Sequence, residues 1–308
     1  MRAVFFGTPE WAVPSLAALL ASEIDVAGVV TNPDRPAGRG MKPRPSPVKE
    51  AALRAGVPVL QPGRARDPAF RIELERIGPD VCVVVAYGRI LPKELLEVPR
   101  LGFVNVHFSL LPAYRGAAPV QRAVMDGLNV TGVSIMVLTE GMDEGPVLAT
   151  EALAIEHDDS AGTLGDRLAL AGAELLVPSV MKYADGSLAP VPQDGSRATY
   201  APKIGSEEAR ISWDRDAGAI RNHVRGLNPA PGAWTTFRAR RVKIARVELV
   251  DDEGVPLAPG ELRADDALIA GTGSGPLEIT SAQMEGRKEM NGAALARGLR
   301  LEPGDRFD

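Results

Sequence analysis

Six short apolar runs alternate with segments of helical spacing through the first half of the chain, and that alternation leaves few folds open. The runs are Arg2 to Phe6, Asp25 to Thr31, Val57 to Leu60, Val81 to Ala86, Leu101 to Val106 and Gly132 to Leu138. Between them, Trp11 to Ala21, Val48 to Ala55, Ala69 to Ile77 and Ala118 to Met125 repeat their apolar residues at intervals of three and four, the period of an amphipathic helix. Strands that are apolar on both faces need cover on both faces, and helices between successive strands supply it; the expectation is a parallel sheet flanked by helices. Asp159-Ser160 can cap a long helix from Ala161 to Tyr183. Pro178 inside it is expected to kink the helix or end it early, because proline lacks an N–H and clashes with the preceding turn.

The pattern changes after Tyr183. Ala184 to Ala201 is rich in Gly, Pro, Gln and Ser without periodicity, as inter-domain linkers are. One amphipathic helix follows, Asp216 to Arg225. Then come short alternating runs at Trp234 to Phe237, Val242 to Leu249, Gly260 to Arg263, Ala267 to Ala270 and Leu277 to Ile279. Such runs, punctuated by Gly and Pro, suit a small antiparallel barrel. The fold expected is therefore α/β, with a Rossmann-like parallel-sheet domain over residues 1–184, a linker over 185–206, and a small β-barrel (OB-like) domain over 207–308.

Several classes of function are excluded early. No apolar run approaches the roughly 20 residues that span a bilayer, and Met1 to Gly7 carries no cleavage signature, so a cytoplasmic protein without a membrane partner is expected. The single cysteine, Cys82, lies in an apolar run and reads as a small core residue; with three histidines beside it, no zinc cluster is expected. Gly7-Thr8-Pro9 follows the first strand but lacks the later glycines of a dinucleotide loop, and Gly271 to Pro276 reads as a hairpin turn. The net charge of −5 speaks against a general nucleic-acid binder. Two basic islands qualify this. Arg35, Arg39, Lys42, Arg44 and Lys49 form one, and Arg221, Arg225, Arg238, Arg240, Arg241, Lys243 and Arg246 the other, with no acid inside either; each can make a local footprint for a polyanion. The first island sits in a Gly- and Pro-rich loop, Asn32 to Pro47, whose length marks it as functional or disordered.

Chemistry concentrates between Asn105 and Asp143. Asn105 and His107 stand two apart at a strand end, so their side chains share a face. An amide can donate to an oxygen gaining negative charge, and an imidazole moves protons near neutral pH. Asp143 can orient that imidazole if the strands before His107 and before Asp143 end on the same sheet edge. Ser109 has no activating motif and is expected to hold a backbone or ligand hydrogen bond. Asn, His and Asp without a nucleophile suit direct transfer between two bound substrates. Each residue also has a plain structural reading (a turn-capping amide, a satisfied histidine, an aspartate in a Gly turn), and spacing alone does not choose.

The motifs Asn105-Val106-His107-x-Ser109-Leu110-Leu111-Pro112, Arg115-Gly116-Ala117-Ala118-Pro119 and Gly141-Met142-Asp143-x-Gly145 resemble the signature of the folate-dependent formyltransferases. Gly7-Thr8-Pro9, Thr31 to Gly40, Pro45 to Lys49, Val85 to Pro92 and Gly226-Leu227-Asn228-Pro229 are similar to the branch of that family that acts on aminoacyl-tRNA, and the likeness covers nearly the whole chain. The resemblance implies a formyltransferase domain followed by a tRNA-binding barrel. The reaction it implies carries a formyl group from 10-formyltetrahydrofolate to the α-amine of initiator methionyl-tRNA, in a monomer, without a metal. It implies Asn105, His107 and Asp143 as catalytic residues. Folate contacts carry over onto Ser109, Leu110, Leu111 and Pro112, and onto Tyr87, Gly88, Ile90 and Leu91. Arg35, Arg39, Lys42 and Arg44 are implied at the tRNA acceptor end, and the second basic island along the tRNA backbone. The alternative is a formyltransferase acting on an amino sugar or a purine-precursor amine. Phe108 stands where the family has a small residue and is expected to turn to the sheet's other face; Ala230 replaces a common aromatic.

Overall fold

The computed structural model describes residues 1–37, 42–250, 256–264 and 266–308, with the backbone alone at 37, 42 and 43. Its contacts divide the chain into two units. One comprises Met1–Pro119, Val130–Ala154 and Gly165–Ala201; the other comprises Val120–Asn129, Ile155–Leu164 and Pro202–Asp308.

The first unit is built on a seven-stranded sheet. Its strands are β1 (Arg2–Gly7), β2 (Asp25–Val30), β5 (Val59–Leu60), β6 (Val81–Val85), β7 (Phe103–His107), β8 (Val130–Val137) and β9 (Val147–Ala154), while β3 (Arg35–Ala37) and β4 (Lys42–Arg44) form a separate antiparallel pair. The order is β5-β2-β1-β6-β7-β8-β9. The first five strands are parallel, as their two-sided burial requires. Helices α1 (Val13–Leu20), α2 (Pro47–Arg54), α3 (Pro68–Ile77) and α4 (Lys93–Leu96) connect them. The loop expected without structure between Asn32 and Pro47 thus contains the β3–β4 ladder.

Two departures bear on the site. Strand β8, expected among the parallel strands, runs antiparallel to β7, and β9, which no apolar run announced, is antiparallel to β8. Strand β9 escapes a sequence reading because only Leu148 along it is buried; an edge strand has no need of a continuous apolar run. The other departure concerns α6 (Ala161–Ala184), which continues through Pro178. Pro178 and Glu174 are exposed, so water can satisfy the carbonyl that proline leaves without a donor.

Phe6 centres the core on one sheet face, meeting Phe70, Tyr87 and Phe103 edge-on with ring centroids 6.2, 5.4 and 5.1 Å away. Cys82 is fully buried in that cluster. On the other face α6 approaches closely because two of its residues lack side chains. A Cβ at Gly165 would overlap the Trp11 ring, and one at Gly172 would overlap Val106. Phe108 turns to this face with Val106, and its ring lies 6.1 Å from that of Trp11. The bulky residue is thereby kept away from His107.

The second unit gathers α5 (Pro119–Met125, from Val120 on), α7 (Ala217–Gly226) and α8 (Gly292–Leu299) around an antiparallel sheet of β10 (Ala233–Phe237), β11 (Arg240–Leu249), β12 (Leu262–Ala264), β13 (Leu268–Ala270), β14 (Leu277–Met284) and β15 (Met290–Asn291). The ladder runs β10-β11-β14-β13-β12, with β15 beside β14. Residues 305–308 bond to both ends of it. Asp308 donates to the Thr236 carbonyl at 3.0 Å, Phe307 to Gly260 at 2.8 Å, and Leu262 to Asp305 at 2.9 Å. The sheet is thus a curled half-barrel, where a closed barrel was expected, and the C-terminal residues bridge its two edge strands, with Phe307 stacked on Trp213 at 5.3 Å.

His223 on α7 is 5% exposed, and burial holds its imidazole below the ordinary histidine pKa. The unfolded chain therefore takes up this proton first. Stability from this group is complete above about pH 6.5, the unfolded value, and declines as pH falls from there toward the depressed folded value. Melting temperatures measured from pH 7 to 5 should fall more steeply for the parent protein than for His223→Leu. Equal slopes would show that His223 is not the source.

Candidate active site

Strand β7 delivers the amide and the imidazole. All five of its residues are buried, with Val104 and Val106 to one face and Asn105 and His107 to the other. Asn105 is 9% exposed, and no described residue hydrogen-bonds its carboxamide. His107 is 6% exposed and lies within 2.9 Å of the Tyr114 carbonyl through Nε2. A carbonyl can only accept, so Nε2 carries a proton and Nδ1 is the nitrogen that can exchange one. Nδ1 lies 3.7 Å from Oδ2 of Asp143.

The turn after β7 is held by small hydroxyls. Ser109, fully buried, donates from Oγ to the Ala113 carbonyl at 2.6 Å. Ser134, opposite His107 on β8, donates to the Ser109 carbonyl at 2.7 Å and accepts from Leu111 N–H at 3.0 Å. The Leu111-Pro112 peptide is cis. Ser109 is accordingly a structural hydroxyl that shapes the turn presenting the half-buried Leu110, Leu111 and Pro112.

Asp143 reaches His107 by a route different from the one expected. Strands β7 and β8 are antiparallel, so they do not end on a common edge. Instead, the loop joining β8 to β9 folds back along β8 until Asp143 stands beside His107. Oδ2 of Asp143 accepts the Gly116 N–H at 2.8 Å. The aspartate has a φ of +50°, a conformation that costs a side-chain-bearing residue of order 1–3 kcal/mol and persists only where the surroundings impose it.

The surroundings include residues that spacing did not single out. Gln193 donates both amide hydrogens, to the Asp143 carbonyl at 2.8 Å and the Gly145 carbonyl at 2.7 Å. The 5%-exposed Arg115 donates to Gln193 Oε1 at 3.1 Å from Nε and 2.8 Å from Nη2. The segment read as a linker is thus partly a strap on this unit: Val191 exchanges two 2.8 Å backbone bonds with Val147, and Arg115 pairs with Thr199 and Ala201 at 2.9 and 2.7 Å. Aperiodic composition concealed it, since a strap that borrows its hydrogen bonds from loops needs no repeat.

The residues implied for folate separate. Tyr87 is 2% exposed in the core, where burial raises its hydroxyl pKa, and its carbonyl accepts from Asn32 Nδ2 at 2.8 Å; its ring is a packing element and not a contact surface. Gly88 has a φ of +77°, Ile90 is 80% exposed, and Leu91 is buried. Ile90 and Leu91 border an open hollow of about 640 Å³ with Pro92, Arg71, Lys93 and Glu140.

The basic islands separate as well. Arg35 and Arg44 face each other across the β3–β4 pair, exposed and without an ion pair among the described residues. Lys49 is bound to Asp34 and Gln61, each at 2.7 Å, so it is not free for a polyanion. Lys42 lies in β4, its side chain outside the described residues, as Arg39 is entirely. In the second island Arg221, 8% exposed, binds the His157 carbonyl at 2.9 Å, and Arg225 bonds the carbonyls of Glu156, His157 and Asp159. Those two are structural, contrary to the role implied for the whole island. Arg240 and Arg246 remain exposed, and so does Arg241, whose guanidinium lies 4.2 Å from the Trp234 ring centroid.

A sheet end that carries a buried amide and a His–Asp pair, with no side-chain nucleophile bonded to the imidazole among the described residues, suits a group transferase domain. The family model described as formyl transferase matches residues 1–180, and the formyl transferase C-terminal domain matches residues 203–300. Methionyl-tRNA formyltransferase of Streptomyces coelicolor is 49% identical over 99% of both chains, and that of Streptomyces griseus is 50% identical over 99% of both. The fold is also that of HypX from Aquifex aeolicus in complex with tetrahydrofolic acid, with TM-score 0.66 and 18% identity over 100% of this chain and 50% of that one. The chain belongs to the formyl transferase family and, within it, to the methionyl-tRNA formyltransferases.

Proposed function

We propose that the protein transfers the formyl group of 10-formyltetrahydrofolate to the α-amine of initiator methionyl-tRNA, acting in the cytoplasm as a monomer. Full-length likeness to methionyl-tRNA formyltransferases supports the substrates. The observation that carries the chemistry is the buried Asn105 carboxamide, without a hydrogen-bond partner among the described residues, beside the His107–Asp143 pair. An α-amine titrates near pH 7.7, so a useful fraction is neutral and nucleophilic without activation. Its attack on the formyl carbon creates an oxyanion and a charged nitrogen. Asn105 donates to that oxyanion, in a buried setting where such a bond counts for more than in water. The nitrogen's proton passes to the His107–Asp143 pair. The oxyanion then collapses, the bond from the formyl carbon to N10 of the folate breaks, and N10 takes that proton back from the imidazolium so that tetrahydrofolate leaves as a neutral amine. The imidazolium is held by the Tyr114 carbonyl on Nε2 and by the Asp143 carboxylate facing Nδ1.

In this reading Leu110, Leu111 and Pro112, with Gly88, Ile90 and Leu91, border the folate, while Tyr87 and Ser109 act indirectly by shaping those loops. Arg35 and Arg44 meet tRNA phosphates together with Arg39 and Lys42. Two like charges facing each other across a hairpin are unfavourable alone and favourable against a polyanion. The test of function is formylation of methionyl-tRNA by 10-formyltetrahydrofolate, run beside free amino sugars; product on the sugar and none on tRNA would refute the proposal. Arg35→Ala with Arg44→Ala should raise KM for tRNA with kcat little changed. The salt slope of tRNA binding should flatten by about 1 for each arginine removed, and an unaltered slope would remove the hairpin from the interface.

A further inference from the structure

Gln193 lies outside every motif that points to the chemistry, in the segment whose composition reads as a linker. Yet both amide hydrogens of its side chain go to the loop that carries Asp143, and its oxygen goes to Arg115. The orientation of the carboxamide is settled by its neighbours. The Arg115 guanidinium can only donate and therefore faces Oε1, while the two carbonyls can only accept and therefore face Nε2. Asp143 is then fixed at two points. Gln193 holds its main chain on one side, and the N–H of Gly116, the residue after Arg115, holds its carboxylate on the other. Arg115 joins the two points, because it grips Gln193 through its side chain and is anchored to Thr199 and Ala201 through its backbone. Its Nη1 also lies 3.8 Å from Glu144, so both residues following Gly141-Met142 are addressed by the same pair.

We infer that Gln193 is a positioning residue, which with Arg115 holds Asp143 at the distance from His107 that the transfer step needs. The inference rests on the proposed catalytic role of Asp143. Gln193 contacts neither substrate in this scheme, so its loss should act on turnover and leave substrate binding alone.

The test is steady-state kinetics of Gln193→Leu and Gln193→Glu, each also placed in an Asp143→Ala background, with melting temperatures for all. The Glu variant retains an acceptor for Arg115 but offers no donor to the carbonyls of Asp143 and Gly145. Expected is a fall in kcat of about ten- to a hundredfold for both variants, with KM for tRNA and for folate within about threefold and folding retained. In the Asp143→Ala background Gln193→Leu should be silent, since residues acting as a unit are non-additive. Normal turnover in Gln193→Glu, or an equal further loss in the Asp143→Ala background, would overturn the inference. Full turnover in Asp143→Ala itself would instead overturn the catalytic reading beneath it.

Discussion

Asn105→Ala is expected to lower kcat for formylation of methionyl-tRNA by a hundredfold or more, the order lost when one preorganised oxyanion donor is removed. The expectation follows from what the Asn105 side chain does not do. It caps no turn and bonds no neighbour among the described residues, so truncating it strands no buried partner and should leave folding intact. Its burial at the end of β7 gives it a fixed direction, and a donor fixed in advance loses little on reorganising as charge develops. The loss should therefore appear in kcat, with tRNA affinity and the melting temperature near those of the parent. Asp143→Ala should share the kcat loss by a different route, because it removes the charge facing Nδ1 of His107. A kcat within about threefold of the parent for Asn105→Ala would place the oxyanion elsewhere.

Gly145→Ala is expected to abolish measurable turnover and to lower the melting temperature, although the added group is one methyl. A Cβ at Gly145 would overlap the carbonyl oxygen of Val137. That carbonyl belongs to the last residue of β8, whose N–H donates to Pro146 at 2.9 Å. Relief requires the strand end and the loop to separate, and the loop is the one that carries Asp143. Gln193 would lose its hold on the Gly145 carbonyl at the same time. Gly63→Ala is the matched control, since nothing lies within 4 Å of a Cβ placed there. Turnover near the parent's in Gly145→Ala would mean that the loop adapts and that Asp143 needs no such exact placement.

The alternation of apolar runs and helical spacing announced the parallel half of the sheet, because strands buried on both faces must be apolar throughout. It could not announce β9, which hides one residue, or the direction of β8, whose apolar run is equally good in either sense. Phe108 shows the other side of this. Strand periodicity alone turned it away from His107, and the structure adds the reason it is tolerated there: Gly172 and Trp11 give the ring its place. The basic islands were visible as composition, but charge counts do not show that Arg221, Arg225 and Lys49 are spent on partners while Arg35 and Arg44 have no ion pair among the described residues.

For the site itself, the sequence marked out the set proposed to react. Asn105 and His107 share a strand face by period two, and Asp143 is marked by its glycine-bounded turn and by family resemblance. Only the tertiary structure decided how the set is held. A carboxylate in a left-handed backbone conformation, 3.7 Å from an imidazole that its own strand cannot bring near, depends on long-range partners. Those partners, Gly116, Gln193 and Arg115, are joined by hydrogen bonds across dozens of residues. Such bonds leave no local periodicity, since any segment that ends in the right place can make them, and for that reason they become legible only once the chain is folded.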